Sequence, residues 1–382
     1  MTTILYIHQS SELYGSDKTL LYLVTRLDKT KYNPIVVLPG EGPLKDALLK
    51  ENIRIIITPV IKLHRRMFTI SYLGSLPMQV KKSIDHIQKE IGGVKIDIVQ
   101  SNTLAVLLGV FASRKLKAKH IWHVHEIIEH PKIISNLYPK ILNRFAHKIV
   151  CNSNATLQNL LKRNSKLKGK LKLIHNGLDA SAFQMGNEAA ARQKLGYAPQ
   201  DIVITLIGRI SRLKGHLLTL RIFNDFFKAD EGVKLLFSGS PVPGQESYLE
   251  DVETKIREYG LEKQVKIIPF QNDLSDIWSA TDIAIVPSTE AESFGLVALE
   301  AMFSKKPVVA TNLGGLKEIV VQDQTGFLFE NKNETAFKEA LEKLISDKAL
   351  RISFGEKGHE RAVAEFSLDK YIQTFEQLYR DV

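Results

Sequence analysis

The chain has 382 residues, 44% of them apolar, a single cysteine and a formal net charge of +10. That length exceeds what one core usually serves, so two domains of under about 200 residues each are expected. A lone Cys151 excludes an internal disulfide framework and any multi-cysteine metal site.

No apolar run approaches the roughly 20 residues that span a bilayer, and the start MTTILYIHQSS enters a strand-like pattern with no basic leader, which points to a cytoplasmic protein. Charge is divided unevenly. Residues 1–180 hold 28 Lys and Arg against 12 Asp and Glu, and the remainder 24 against 30. The basic half suits a phosphate-bearing substrate or an anionic lipid surface. No zinc-finger spacing or aromatic-glycine RNA motif accompanies it, so nucleic acid is not an expected partner.

In chain order, short apolar stretches at Ile4–His8, Pro34–Leu38, Arg54–Thr58, Ile96–Gln100, His120–Val124 and Lys148–Asn152 read as strands. They alternate with helical candidates that include Ser16–Leu27, Leu44–Glu51 and Ala155–Leu161. Such alternation predicts a parallel sheet covered by helices. The series restarts with strands at Ile202–Leu206, Lys234–Ser238, Gln264–Pro269, Ile283–Pro287 and Pro307–Ala310, and helices from His216, Tyr248, Leu274, Ala298 and Gly315. The boundary is expected within Asp179–Gln200, dividing the chain into domains at 1–180 and 181–360. A final helix over 361–382, with Phe366, Tyr371, Phe375 and Leu378 along one stripe, is expected to pack across both. Two Rossmann-like sheets place ligands at the carboxyl ends of their strands, in a cleft.

Glycines mark the candidate loops. After the first strand, Gly15 allows close backbone approach, and Ser16 and Asp17 can cap a helix whose free N–H groups suit a phosphate. In IVITLIGRISRLKGH, Gly208 ends a buried strand and is followed by Arg209 and, five positions on, Lys214. Two cations from one strand-to-helix loop can neutralise a diphosphate. In PSTEAESFGLVALEAM, Glu292 falls in a loop and Glu300 in the next helix, so the two carboxylates can converge on one molecule. Phe294 and Leu296 anchor the turn between them, while Gly295 lets the backbone pass close to a ligand. Carboxylates are good acceptors for paired sugar hydroxyls. The four histidines His120, His123, His125 and His130 match no zinc-enzyme spacing, so no metal site is expected among them.

The ordered set YGSDK, HVHE, CNSNAT, IHNGLD, GRISRLKG, ESFGLVALEAM and GGLKEIVVQDQTGFLF resembles the retaining glycosyltransferases of family 4, the group 1 glycosyl transferases. This resemblance spans nearly the whole chain. It implies an α/β GT-B architecture: two Rossmann-like domains facing across a donor and acceptor cleft, with the C-terminal helix crossing back. It further implies a nucleotide-diphosphate sugar as donor, a UDP- or GDP-sugar, with no cofactor and no required metal. Glu300 would hold the ribose hydroxyls and Glu292 those of the transferred sugar. Arg209 and Lys214 would stabilise the departing diphosphate, and His125 would orient the donor sugar. Gly15, Gly208 and the backbone around Phe294, Gly295 and Leu296 would approach the donor. Where family members commonly carry a Gly-Gly pair in the first loop, this chain has Tyr14-Gly15.

A glycan or polyprenyl-diphosphate-linked acceptor would meet the basic half. There Arg65, Arg66 and Phe68 suit an anionic membrane surface, which would make the protein peripheral on the cytoplasmic face. Bacterial envelope polysaccharide synthesis fits this reading. Transfer to a small soluble acceptor, a two-domain nucleotide-sugar epimerase and a noncatalytic nucleotide-sugar sensor are the alternatives.

Overall fold

The computed structural model describes residues 1–62, 70–183, 186–241 and 244–382. Met1–Gly177 and Leu368–Val382 form one compact unit, and Leu178–Ser367 a second. The first unit contains strands β1 (Thr2–His8), β2 (Tyr32–Leu38), β3 (Arg54–Ile57), β4 (Ile98–Asn102), β5 (Lys119–Val124), β6 (Lys148–Cys151) and β7 (Leu171–Leu173). Between them run α1 (Gly15–Arg26), α2 (Pro43–Lys50), α3 (Ile70–Ile91), α4 (Leu108–Lys115), α5 (Lys132–Phe145) and α6 (Asn154–Arg163). The sheet is parallel in the order β3-β2-β1-β4-β5-β6-β7.

The second unit begins with α7 (Glu188–Leu195) and carries β8 (Ile202–Ile207), β9 (Val233–Ser238), β10 (Val265–Ile268), β11 (Ile283–Val286), β12 (Val308–Thr311) and β13 (Gly326–Phe329). Its further helices are α8 (His216–Phe226), α9 (Ser247–Tyr259), α10 (Ser275–Ala280), α11 (Leu296–Phe303), α12 (Leu316–Ile319), α13 (Glu334–Ser346) and α14 (Lys348–Phe366). This sheet is also parallel, ordered β10-β9-β8-β11-β12-β13. Each sheet therefore reverses its winding once, between β1 and β4 in the first unit and between β8 and β11 in the second. The crevice outside such a reversal is where open α/β sheets hold ligands.

The strands explain the parallel arrangement. Ile4, Leu5, Tyr6 and Ile7 of β1 are all fully buried, as a strand covered by helices on both faces requires. The fourth strand lies two residues beyond the stretch its apolar content predicts. It extends through Gln100, Ser101 and Asn102, all fully buried. Tyr379 Oη donates to Gln100 Oε1 at 2.8 Å, and Ser101 Oγ lies 3.0 Å from His120 Nε2, so remote residues partner these side chains, while the buried Gln100 Nε2 has no hydrogen-bond partner among the described residues.

The aromatic stripe near the C-terminus is shared by two helices. Ser367 takes extended dihedrals (φ −67°, ψ 150°) between α14 and α15 (Leu368–Arg380). Phe366 packs edge-on against Phe294 at 5.8 Å in the second unit. Tyr371, Phe375 and Leu378 of α15 are buried in the core of the first. There Tyr6 Oη donates to Tyr379 Oη at 2.9 Å.

Candidate functional site

In the second unit, β8 runs into Gly208 and Arg209 at its carboxyl end, and the neighbouring β11 runs into the loop from Pro287 to Gly295. Backbone bonds fix the first loop: Gly208 N–H donates to Ser238 O and Ile210 N–H to Ser240 O, each at 2.9 Å. Thr289 N–H donates to Leu213 O at 2.9 Å and joins the two loops. The stem of Lys214 lies over Gly208, and its Nζ sits 2.6 Å from Glu292 Oε1. Ser288 Oγ donates to the same carboxylate oxygen. Arg209 is exposed at the mouth of this loop.

The Glu292 carboxylate is opposed by two influences. Burial would raise its pKa, but the Lys214 charge and the hydrogen bonds from Lys214 and Ser288 outweigh that and hold it below the ordinary carboxylate value. The Glu292 carboxylate is therefore ionised at neutral pH, and the Lys214 and Glu292 side chains are only 26% and 17% exposed.

Local backbone chemistry sets the path of the Glu292 loop. Gly315 N–H donates to Glu292 O at 2.8 Å. A Cβ at Gly314 would stand 1.9 Å from that same carbonyl oxygen, so only glycine lets the two loops close. Gly295 caps α11 at φ +110°, and a Cβ there would come within 2.5 Å of Leu316 Cδ2. Close packing on α12 therefore requires this glycine, whatever ligand approaches it. Phe294 is buried, Leu296 opens α11 half-buried, and Glu300 is buried in the same helix with 6% of its surface exposed.

In the first unit, the polar groups gather at the carboxyl ends of β1, β4 and β5. His8 Nε2 is 2.5 Å from Asp17 Oδ1, and Asp17 Oδ2 accepts from Tyr14 N–H at 2.9 Å, which caps α1 beside the exposed Gly15. His8 Nδ1 lies 3.0 Å from Asn102 Nδ2, while Asn102 Oδ1 lies 3.3 Å from His125 Nε2. The His123 ring lies tilted 3.8 Å from the His125 ring and meets Phe375 edge-on at 5.2 Å, with neither ring nitrogen hydrogen-bonded. Burial, reinforced by the neighbouring His8, pushes His125 down to about 3, so it is neutral at physiological pH. Glu126 Oε2 accepts from Leu104 N–H at 2.9 Å and His125 N–H at 3.1 Å, which fixes the start of the loop.

Lys214, Glu292 and Gly208 thus lie together, with Glu300 one helix turn beyond the start of α11. Arg65, Arg66 and Phe68 lie outside the described residues. Among the described residues, no group of three or more His, Cys, Asp or Glu is arranged to hold a metal ion. Ser288, His8 and Asn102 stand beside these groups although sequence motifs assign them no role, and Gly314 opens the GGLKEIVV motif without an assigned role of its own. The available signal was a polar residue closing an apolar strand, as in ILYIH and IVQSN.

Comparison with known proteins gives these geometries a context. Residues 14–182 match the family described as Glycosyltransferase Family 4, and residues 187–361 the family described as Glycosyl transferases group 1. The chain is 30% identical over 244 residues to a D-inositol 3-phosphate glycosyltransferase of Corynebacterium urealyticum, a match covering 62% of this chain and 57% of that protein. It thus spans little more than half the length of that curated relative. Among solved structures, Anabaena Alr3699/HepE in complex with UDP-glucose superposes over the full length of both chains with a TM-score of 0.86 at 24% identity. WaaG, a glycosyltransferase involved in lipopolysaccharide biosynthesis, superposes over 97% of this chain and 98% of its own with a TM-score of 0.72 at 14% identity. The chain is a protein of GT-B fold, related to the family 4 and group 1 glycosyltransferases.

Proposed function

We propose that this protein is a retaining glycosyltransferase that moves a hexose or related sugar from a UDP- or GDP-sugar to a hydroxyl of a glycan or polyprenyl-diphosphate-linked acceptor, in bacterial envelope polysaccharide synthesis. The observation that carries the reading is the Lys214–Glu292 contact at 2.6 Å, which joins the expected phosphate loop to the expected sugar loop at the point where the second sheet reverses. Relatives named as glycosyltransferases, and a structural neighbour solved with UDP-glucose, support the same chemistry.

In this reading Glu300 accepts from the ribose hydroxyls and Glu292 from hydroxyls of the transferred sugar. The bond from the anomeric carbon to phosphate oxygen breaks while a bond to the acceptor oxygen forms on the same face. The departing phosphate takes the acceptor proton, and Arg209 and Lys214 stabilise its growing negative charge. No cofactor is called on, and these two cations supply the charge that a metal would otherwise bring. His125 orients the transferred sugar, and the backbone at Gly15 approaches the diphosphate. Glu292, held by Lys214 and Ser288, serves the sugar hydroxyls rather than attacking the anomeric carbon as a glycosidase nucleophile would.

The acceptor is served by the basic first unit, with Arg65, Arg66 and Phe68 at an anionic membrane surface on its cytoplasmic side. No helix among the described residues is long and apolar enough to cross a membrane. A mass-resolved screen of nucleotide sugars against lipid-linked and soluble glycan acceptors tests the reading. Transfer with retained anomeric configuration to a lipid-linked acceptor supports it, whereas binding of nucleotide sugar without turnover on any acceptor would make the protein a sensor.

A further inference from the structure

The polar groups at the carboxyl ends of β1, β4 and β5 form one connected line, Asp17–His8–Asn102–His125, and its shortest contacts favour one set of hydrogen-bond directions. Asn102 Nδ2 faces both His8 Nδ1, at 3.0 Å, and the carbonyl oxygen of Ser16, at 3.5 Å. A carbonyl oxygen only accepts, so the NH2 end of the amide belongs on this side. His8 Nδ1 also lies 3.3 Å from Asn102 O, but the amide NH2 is nearer, so Nδ1 accepts from it and the His8 proton stands on Nε2, where Asp17 Oδ1 receives it at 2.5 Å. The other end of the amide, Oδ1, faces His125 Nε2 at 3.3 Å and can be satisfied only by an N–H. Asn102 O is a third fixed acceptor beside the Asp17 carboxylate and the Ser16 carbonyl, and a proton on His8 Nδ1 directed at it would turn the amide and reverse the assignment at His125.

The line also has one open end. His8 and Asn102 are fully buried and Asp17 nearly so, whereas His125 keeps 9% of its surface exposed. Thr103, the next residue after Asn102, holds φ +95°, a strained value for a β-branched side chain. Its N–H donates to His123 O at 2.9 Å, and its carbonyl accepts from Trp122 Nε1 at 2.9 Å. Strain of this kind persists only where surrounding contacts over-determine the backbone, and it collects at functional sites.

We infer that Asp17, His8 and Asn102 are positioning residues that hold His125 as the neutral Nε2–H tautomer, so that its Nδ1 is a hydrogen-bond acceptor for a hydroxyl of the transferred sugar. The inference rests on the proposed role of His125 at that sugar. It adds a tautomer and the side chains that set it, because the hydrogen bond made by one ring nitrogen decides the state of the other. Asp17 also accepts from Tyr14 N–H, so the line ties the Tyr14-Gly15 loop to His125.

Long-range proton–nitrogen spectra of the full chain labelled with 15N-histidine test this without any substitution. His8 and His125 are expected as Nε2–H tautomers, and an Nδ1–H tautomer at His125 overturns the inference. In Asn102→Leu, His125 is expected to shift to a mixture containing Nδ1–H while the His216 signals of the second unit stay in place. With an active donor and acceptor pair, kcat then falls about tenfold or more while the donor KM changes less than about twofold. An unchanged His125 tautomer in folded Asn102→Leu overturns the inference, and should that variant fail to fold, the parent spectrum decides alone. Full activity of His125→Ala would instead remove the sugar role from the proposed function, leaving the tautomer result to stand or fall separately.

Discussion

Lys214 Nζ and Glu292 Oε1 lie 2.6 Å apart although 78 residues separate them in sequence, so the strand-to-helix loop after β8 and the loop after β11 are held as one device. Before a donor binds, each charge offsets the other. In the proposed reading, a diphosphate entering this corner would meet a cation already fixed in direction by its carboxylate partner, sparing the reorganisation that a mobile lysine would need.

Lys214→Ala is therefore expected to act twice. It leaves Glu292 with little charge compensation in a half-buried site, which should raise its pKa and lower the stability of the second unit by about 1–2 kcal/mol. It also removes a cation from the leaving phosphate, for a loss of about 10²–10³ in transfer rate. Glu292→Gln keeps the side-chain shape and is expected to slow transfer while nucleotide binding changes little. Denaturant titration beside single-turnover rates separates the two effects, and an unaltered transfer rate in both variants would discard the assignment.

Glu300 is buried in α11 rather than in the loop, so its variant should show a different phenotype. Glu300→Gln is expected to weaken binding of the nucleotide sugar by roughly 10–100-fold, the scale for hydrogen bonds to a charged group. Calorimetry with a donor lacking the ribose 2′ and 3′ hydroxyls provides the check. The parent should lose affinity for that analogue, and Glu300→Gln should bind it and the normal donor nearly alike. If the variant still discriminates as the parent does, the ribose contact lies elsewhere.

Apolar strands and glycine punctuation made the two α/β halves legible, because β1, β2, β8 and β9 are near-continuous runs of buried aliphatic residues. Polar residues that are buried by their partners were not legible in the same way. The strand expected from apolar content stops at Gln100, because Gln100, Ser101 and Asn102 meet their partners Tyr379, His120 and His125 only from remote positions. Helices α3 and α5 contain Pro77 and Pro139, whose rings remove a backbone donor and argue locally against a helix. The continuous stripe from Phe366 to Leu378 conceals the break at Ser367, since no glycine or proline marks it. At the site, motif spacing located the loops carrying Lys214 and Glu292, but their ion pair depends on the neighbouring positions of β8 and β11.

The membrane part of the proposal predicts a selective loss. Replacing Arg65 and Arg66 with Ser removes two cations from the basic first unit, at roughly 1 kcal/mol for each that contacts anionic lipid. Co-sedimentation with vesicles containing phosphatidylserine should fall more than with neutral vesicles, while a parallel donor titration stays near the parent value. Equal vesicle binding by parent and variant would remove this patch as the attachment surface.

Acid should destabilise the first unit through histidines that are not protonated in the folded state. Burial pushes His120 down to about 4, His125 to about 3 and His123 well below its ordinary value, and the neighbouring imidazoles add to the effect at the latter two. Unfolded histidines titrate near 6.5, so as pH falls below that value the unfolded chain takes up protons that the folded chain refuses. Their stabilising contribution is complete above about 6.5 and is lost progressively as pH falls toward the folded values, at up to about 1.4 kcal/mol per pH unit for each group. The second unit has one comparable case, His216, held at about 4 by burial. Urea unfolding at pH 7.5, 6.0 and 5.0, followed by resonances assigned to each unit, should therefore show the steeper loss in the first. A His123→Phe variant that keeps the fold should flatten that slope by up to about 1.4 kcal/mol per pH unit, because one proton-accepting group is gone from the unfolded chain. An unchanged slope in the variant would mean that His123 does not resist protonation in the folded protein.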